Sequence, residues 1–140
     1  MIKRMDSSGK KNNKKILIVD DEIDVLDFLK IYLSSLGWEI SIASTIPEAF
    51  AALEADAYFL VITDIAMPEM DGHEFIDKLR EKNIPSEVAL MTGFGYNPKH
   101  TLVKIYKTLK CPCLFKPFNR VKVAEAVQTA WNQYHENLPK

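Results

Sequence analysis

The chain has 140 residues, 47% apolar and 26% charged, the size and composition of one soluble globular domain. No apolar run approaches the ~20 residues of a membrane span, and no apolar core follows the basic N-terminus as in a secretory signal, so a cytoplasmic domain with no membrane partner is expected. The net charge of −1 hides a split, because residues 1–15 sum to +5 and the remainder to −6; an acidic body argues against nucleic-acid binding by the domain itself.

Residues 1–14 are basic and polar, with Ser7, Ser8, Gly9, Asn12 and Asn13 and almost no apolar side chains, which predicts a disordered tail. Lys15-Ile16-Leu17-Ile18-Val19 is an apolar run suited to a strand buried on both faces, and it ends on Asp20-Asp21. From Glu22 to Leu36, Val25, Leu26, Leu29, Leu33 and Leu36 fall at helical spacing, and Gly37 is placed to stop the helix. Trp38 to Ala43 reads as a second strand. Thr45-Ile46-Pro47-Glu48 then combines a capping box with a proline in the first turn of a helix running to about Ala55.

A second long apolar run, Ala57 to Ile62, stops at Asp64. Pro68 and Gly72 punctuate the loop that follows, and Asp71 with Glu74 has capping-box spacing for a helix from Gly72 to about Lys82, closed by Asn83-Ile84-Pro85. Val88 to Met91 is a fourth strand, ending on Thr92-Gly93. A loop from Phe94 to Pro98 leads to a helix over about Lys99–Leu109. Cys113-Leu114-Phe115 is a short fifth strand ending on Lys116-Pro117, and Asn119 caps a last helix carrying Val123, Ala126, Val127, Ala130 and Trp131 inward. Strand and helix alternate five times. The predicted fold is α/β, a flavodoxin-like doubly wound parallel sheet of five strands in the order 2-1-3-4-5 with five helices.

Parallel strands share one carboxyl edge, where open α/β sheets bind their ligands. Asp20, Asp21, Asp64, Thr92 and Lys116 all fall there. Scattered surface polarity would also put some polar residues at strand ends, but not readily this matching set with acids on the two central strands. Two carboxylates about 4 Å apart repel by about 4 kcal/mol at an effective dielectric of 20. One lysine is too little compensation for three, so a divalent cation is expected, and hard oxygen ligands suit Mg²⁺ or Mn²⁺. Such a cleft is equipped to accept a phosphoryl group on one carboxylate. Cys111 and Cys113 flank Pro112 with no His or Cys cluster nearby, which reads as two small buried thiols rather than a metal or redox motif. The three histidines are scattered and expected to face solvent. Trp38 and Trp131 are expected to lie too far from the cleft to report on it.

The Asp20-Asp21 pair, the run Asp64 to Gly72, Thr92-Gly93 and Lys116-Pro117-Phe118, in this order and at these separations, resemble a response-regulator receiver domain of two-component signalling. The likeness covers 15 to about 134, within a domain set at 15–137. It implies that Asp64 is the phosphoacceptor, that Asp21 ligates the metal directly while Asp20 positions metal-bound water, and that Asp64 and the Ala66 carbonyl complete the protein's share of the metal site. It further implies that Lys116 pairs with a phosphoryl oxygen, that the Thr92 hydroxyl relays the signal, and that the Lys116-Pro117 bond is a candidate for cis geometry. The implied partners are a sensor histidine kinase or histidine phosphotransfer protein, and an unknown downstream protein.

The sequence departs from that pattern at Cys113, where the family usually has Tyr or Phe, and at Leu109-Lys110-Cys111-Pro112, which replaces a Gly-Ala-x-Asp stretch. Any signal is therefore expected to travel through the loop and helix around Phe94–Leu109 rather than through a swinging ring. Ala66 cannot hydrogen-bond an attacking water and Phe94 can shield the phosphoryl group, so slow self-dephosphorylation is expected. A stand-alone receiver that signals by protein–protein contact, not an enzyme beyond its own phosphorylation and dephosphorylation, is the leading reading. A phosphorelay intermediate and a phosphorylation-independent scaffold remain open. An aspartyl-phosphate phosphatase ranks low because Ala66 sits where a second Asp is needed. A Rossmann domain fails for want of a Gly-rich turn after the first strand.

Overall fold

The two long apolar runs become adjacent central strands. In this computed structural model, which describes residues 13–64, 72–93 and 112–138, β1 is Lys15–Val19 and β3 is Leu60–Asp64. They are flanked by β2 (Glu39–Ala43) on one side and by β4 (Glu87–Thr92) and then β5 (Cys113–Phe115) on the other. All neighbours pair parallel, in the order β2-β1-β3-β4-β5. Among the described residues there are four helices, α1 (Ile23–Ser35), α2 (Ile46–Ala55), α3 (Gly72–Glu81) and α4 (Arg120–Glu136). The helix expected over Lys99–Leu109, the tail up to Asn12, and Ala66, Phe94 and Cys111 lie outside the described residues.

The central strands β1 and β3 read as apolar runs because both their faces are covered. Ile16, Ile18, Leu60 and Ile62 turn to one side, where they pack with Leu26, Leu29 and Leu33 of α1 and Val123, Val127, Ala130 and Tyr134 of α4. Leu17, Val19 and Val61 turn to the other, against Ile46, Ala49 and Leu53 of α2 and Phe75 and Leu79 of α3. Of the inner positions expected on the last helix, Ala126 and Trp131 are only partly buried, and Tyr134, not foreseen, takes a core place.

The helix ends are closed by local chemistry. At the end of α1, Gly37 has φ +98°; its N–H donates to the Ser34 carbonyl at 3.0 Å and the Trp38 N–H to the Leu33 carbonyl at 3.2 Å, a Schellman closure. Asn83, at φ 57°, closes α3 the same way, with Asn83 N–H on Arg80 and Ile84 N–H on Leu79. Thr45 caps α2 through the Glu48 N–H, but the Glu48 carboxylate reaches back one residue further than a capping box requires, to the Ser44 N–H at 2.9 Å. Asn119 caps α4 by accepting from the Val121 and Lys122 N–H groups. A Cβ at Gly37 would meet nothing within 4 Å, so its cost is conformational alone. Gly37→Ala is expected to lose about 1 kcal/mol in urea denaturation while leaving the carboxyl-edge site unaffected.

Trp38, Phe59 and Trp131 cluster at the amino edge of the sheet, with ring centroids 5.0–5.2 Å apart. A five-residue strand of about 16 Å separates that edge from the carboxyl edge, so neither indole borders the site. His135, expected to face solvent, is half-buried. Its ring lies 4.1 Å from that of Trp131, and its Nδ1 sits 2.9 Å from the Trp131 carbonyl oxygen, because one helical turn places residues i and i+4 over each other.

Candidate functional site

Strand register assembles the site. Val19 pairs with Thr63 across β1 and β3, so the next residue of each strand, Asp20 and Asp64, reaches the carboxyl edge at the same level. Asp64 pairs with Met91, one residue short of Thr92. Thr92 pairs with Phe115, and its carbonyl accepts the Lys116 N–H at 2.9 Å, which sets the lysine at the end of β5. Residues from four strand ends thereby meet. The Lys116–Pro117 peptide bond is cis.

Lys116 is the hub. Its Nζ lies 2.6 Å from Glu22 Oε1, 2.7 Å from Asp20 Oδ2 and 3.2 Å from Asp64 Oδ2. Asp20 and Thr92 are fully buried and Asp64 nearly so, whereas Asp21 is exposed. One carboxylate oxygen from each of Asp20, Asp21 and Asp64 lies within 4.8 Å of the other two. The expected site residues Asp20, Asp21, Asp64 and Lys116 are thus brought together, with Thr92 at the adjoining strand end. Ala66, the remaining expected metal ligand, lies outside the described residues.

Burial dominates the electrostatics. It raises the Asp20 carboxyl to about 6, against the opposing pull of Lys116 and of the Glu22 N–H, and the neighbouring Asp64 charge pushes the same way as burial. For Lys116, burial alone would lower the ammonium's pKa, but Asp20, Glu22 and Asp64 together reverse this and raise it above the ordinary lysine value.

The donor set fits a hard divalent cation. Asp20 Oδ1 accepts the Glu22 N–H at 2.9 Å. The fully buried Oδ2 has only the ion pair to Lys116 and no aligned hydrogen-bond donor among the described residues. A buried carboxylate oxygen in that condition is costly in metal-free protein, and it is the kind of ligand Mg²⁺ takes. A groove of about 610 Å³ opens beside Lys116, with Val25, Phe28, Pro117 and Phe118 on its apolar wall and Glu22 and Asp24 at its acidic rim.

Glu22 was not singled out from sequence, although it makes the shortest contact to Lys116. The run Asp20-Asp21-Glu22 held the signal, because a third acid sits where the strand turns into α1. Cys113 is half-buried rather than buried as expected, at the edge of the sheet on β5.

A doubly wound sheet of order 2-1-3-4-5 with acids after β1 and at the end of β3, a hydroxyl at the end of β4 and a lysine after β5 defines a two-component signalling domain. The chain belongs to the response regulator receiver domain family, whose sequence model matches residues 16–128. It is 38% identical over 85 residues to the probable transcriptional regulator ycf27 of Cyanophora paradoxa, covering 60% of this chain and 35% of that protein. It is 30% identical over 102 residues to the response regulator receiver protein CpdR of Brucella abortus (strain 2308), covering 71% of this chain and 85% of that one. In structure it is similar to a CheY-like response regulator receiver domain protein from Methanospirillum hungatei JF-1, with a TM-score of 0.79 at 26% identity over 91% of this chain and all of the other. The chain spans about a third to a half of the length of ycf27 and of the next curated relatives it matches. Among the described residues no helix is long and apolar enough to cross a membrane.

Proposed function

We propose that the domain takes a phosphoryl group on Asp64 from a phosphohistidine of a partner kinase or phosphotransfer protein, and signals by a protein–protein contact that depends on this modification. An Asp64 carboxylate oxygen forms the new O–P bond as the N–P bond to the donor imidazole breaks, and the imidazole leaves with the electron pair. Asp20, Asp21 and Asp64, with the Ala66 carbonyl, are the residues that would hold Mg²⁺ or Mn²⁺. A bound ion there supplies positive charge to oppose the negative phosphoryl oxygens. Lys116 supplies the protein's own cation at the same oxygens, and the Thr92 hydroxyl is the group that answers the modification.

The observation carrying this reading is the meeting of three carboxylates within 4.8 Å, with Lys116 in contact with two of them. Burial and the neighbouring Asp64 charge hold Asp20 well above the ordinary carboxylate range, and perturbed groups of this kind gather at functional sites.

Acetyl phosphate with Mg²⁺ tests it. Intact-mass analysis is expected to show one added phosphoryl group, mapped to Asp64, absent in EDTA and absent from Asp64→Asn. No adduct on the wild-type protein, or an adduct that survives Asp64→Asn, would overturn the assignment.

A further inference from the structure

We propose that Glu22 is a positioning residue which holds Lys116 while the site is empty and gives it up when a phosphoryl group arrives. The inference rests on the phosphoacceptor reading of Asp64. An ammonium has three N–H bonds. Glu22 Oε1 at 2.6 Å and Asp64 Oδ2 at 3.2 Å accept two of them, and Asp20 Oδ2 crowds the same nitrogen at 2.7 Å. A phosphoryl oxygen that comes to pair with Lys116 must displace one of these three. Asp20 is fully buried and fixed through Oδ1 by the Glu22 N–H. Asp64 is the residue being modified. Glu22 is different, because its side chain is 60% exposed while that of Lys116 is only 13% exposed, so Glu22 alone can swing into water.

Charge drives the exchange in the same direction. A carboxylate one ion-pair length from Lys116 would lie against a phosphoryl group on Asp64, and like charges at that range repel. Glu22 also sits at the N-cap of α1, where it makes no side-chain cap; its carboxylate is turned to the lysine instead. Losing the Lys116 contact therefore frees a side chain at the start of α1, beside the groove floored by Val25 and Phe28. The cost of breaking the contact sets how readily the site loads. An exposed ion pair changes an equilibrium by about two- to fivefold, so Glu22 tunes phosphoryl affinity without deciding it.

Beryllofluoride at fixed Mg²⁺, followed by fluorine NMR of the bound species, measures this in the full chain. Glu22→Gln is expected to tighten beryllofluoride binding two- to fivefold. Asp24→Asn, which removes the same charge from the rim of the same groove without touching Lys116, is expected to change it much less. Equal tightening in both variants would reduce Glu22 to a contributor to the local field, and unchanged or weaker binding in Glu22→Gln would remove its role outright. Absence of binding to the wild-type protein would instead count against the phosphoacceptor reading on which the inference stands.

Discussion

In metal-free protein at pH 7, Asp20→Asn is expected to raise the melting temperature by several degrees while abolishing the response to Mg²⁺. The wild-type Asp20 carboxyl titrates at about 6 because it is buried beside Asp64. Ionising it in the folded state costs about 2–3 kcal/mol relative to the unfolded chain. A folded-state value above the unfolded one means that the native protein holds the proton more tightly. Asp20 therefore lowers stability progressively as pH rises from about 4 to about 6, and its penalty is complete above that. Asparagine cannot ionise, yet its carbonyl keeps the bond from the Glu22 N–H. Lys116 loses one partner in exchange, so a net gain of about 1–2 kcal/mol is expected. Thermal melts in EDTA and in millimolar Mg²⁺, between pH 4.5 and 7, check this. The wild-type curve should fall with rising pH in EDTA and recover with Mg²⁺, while the variant should show neither slope nor recovery from this site. A variant that melts below wild type in EDTA, or gains as much from Mg²⁺, would contradict the account.

How legible the molecule was in sequence follows from which interactions are local. The two central strands could be read because a parallel sheet covered on both faces demands apolar residues at nearly every position, as in Leu17, Ile18, Leu60, Val61 and Ile62, all fully buried. Helix ends could be read where one residue does the work, at Gly37, Thr45 and Asn119. The strand-end acids, threonine and lysine could be listed because strand ends of a doubly wound sheet share an edge. Their burial and their contacts with one another could not. Asp20 and Asp21 are neighbours with the same side chain, yet one is buried and the other exposed, and only the path of the chain leaving β1 decides which. Glu22 and Lys116 are 94 residues apart, and no spacing rule joins them. Tyr134 was not foreseen in the core, and His135 is only half open to solvent, for a related reason. Their burial depends on the aromatic cluster built from Trp38, Phe59 and Trp131, which lie on three separate parts of the chain.

Removing the cation should do the opposite of removing the acid. Lys116→Met takes away a positive charge that contacts Asp20, Glu22 and Asp64 together, and the Lys116 side chain is only 13% exposed. Breaking a largely buried pair from one side leaves an uncompensated charge, and a loss of about 2–4 kcal/mol is expected in EDTA at pH 7. Lys116 has a folded-state value raised above the ordinary 10.5, so in the wild type its contribution is fully present at neutral pH and is lost only as pH climbs past that value. The deficit of the variant should narrow at pH 5 for a different reason. Without Lys116 the buried Asp20 holds its proton more tightly still, and the neutral acid no longer needs a cation. Mg²⁺ should narrow the deficit too, by replacing one positive charge with another. Urea denaturation at pH 7 and pH 5, with and without Mg²⁺, separates these effects from a packing defect, which would give the same deficit under all four conditions. Adduct formation from acetyl phosphate should fall by about a hundredfold even in Mg²⁺ conditions where circular dichroism shows the variant folded, because the phosphoryl oxygens then meet one fixed donor fewer. A deficit indifferent to both pH and Mg²⁺ would mean that Lys116 serves the fold by its alkyl stem alone, and that the charge balance argued for the cleft is wrong.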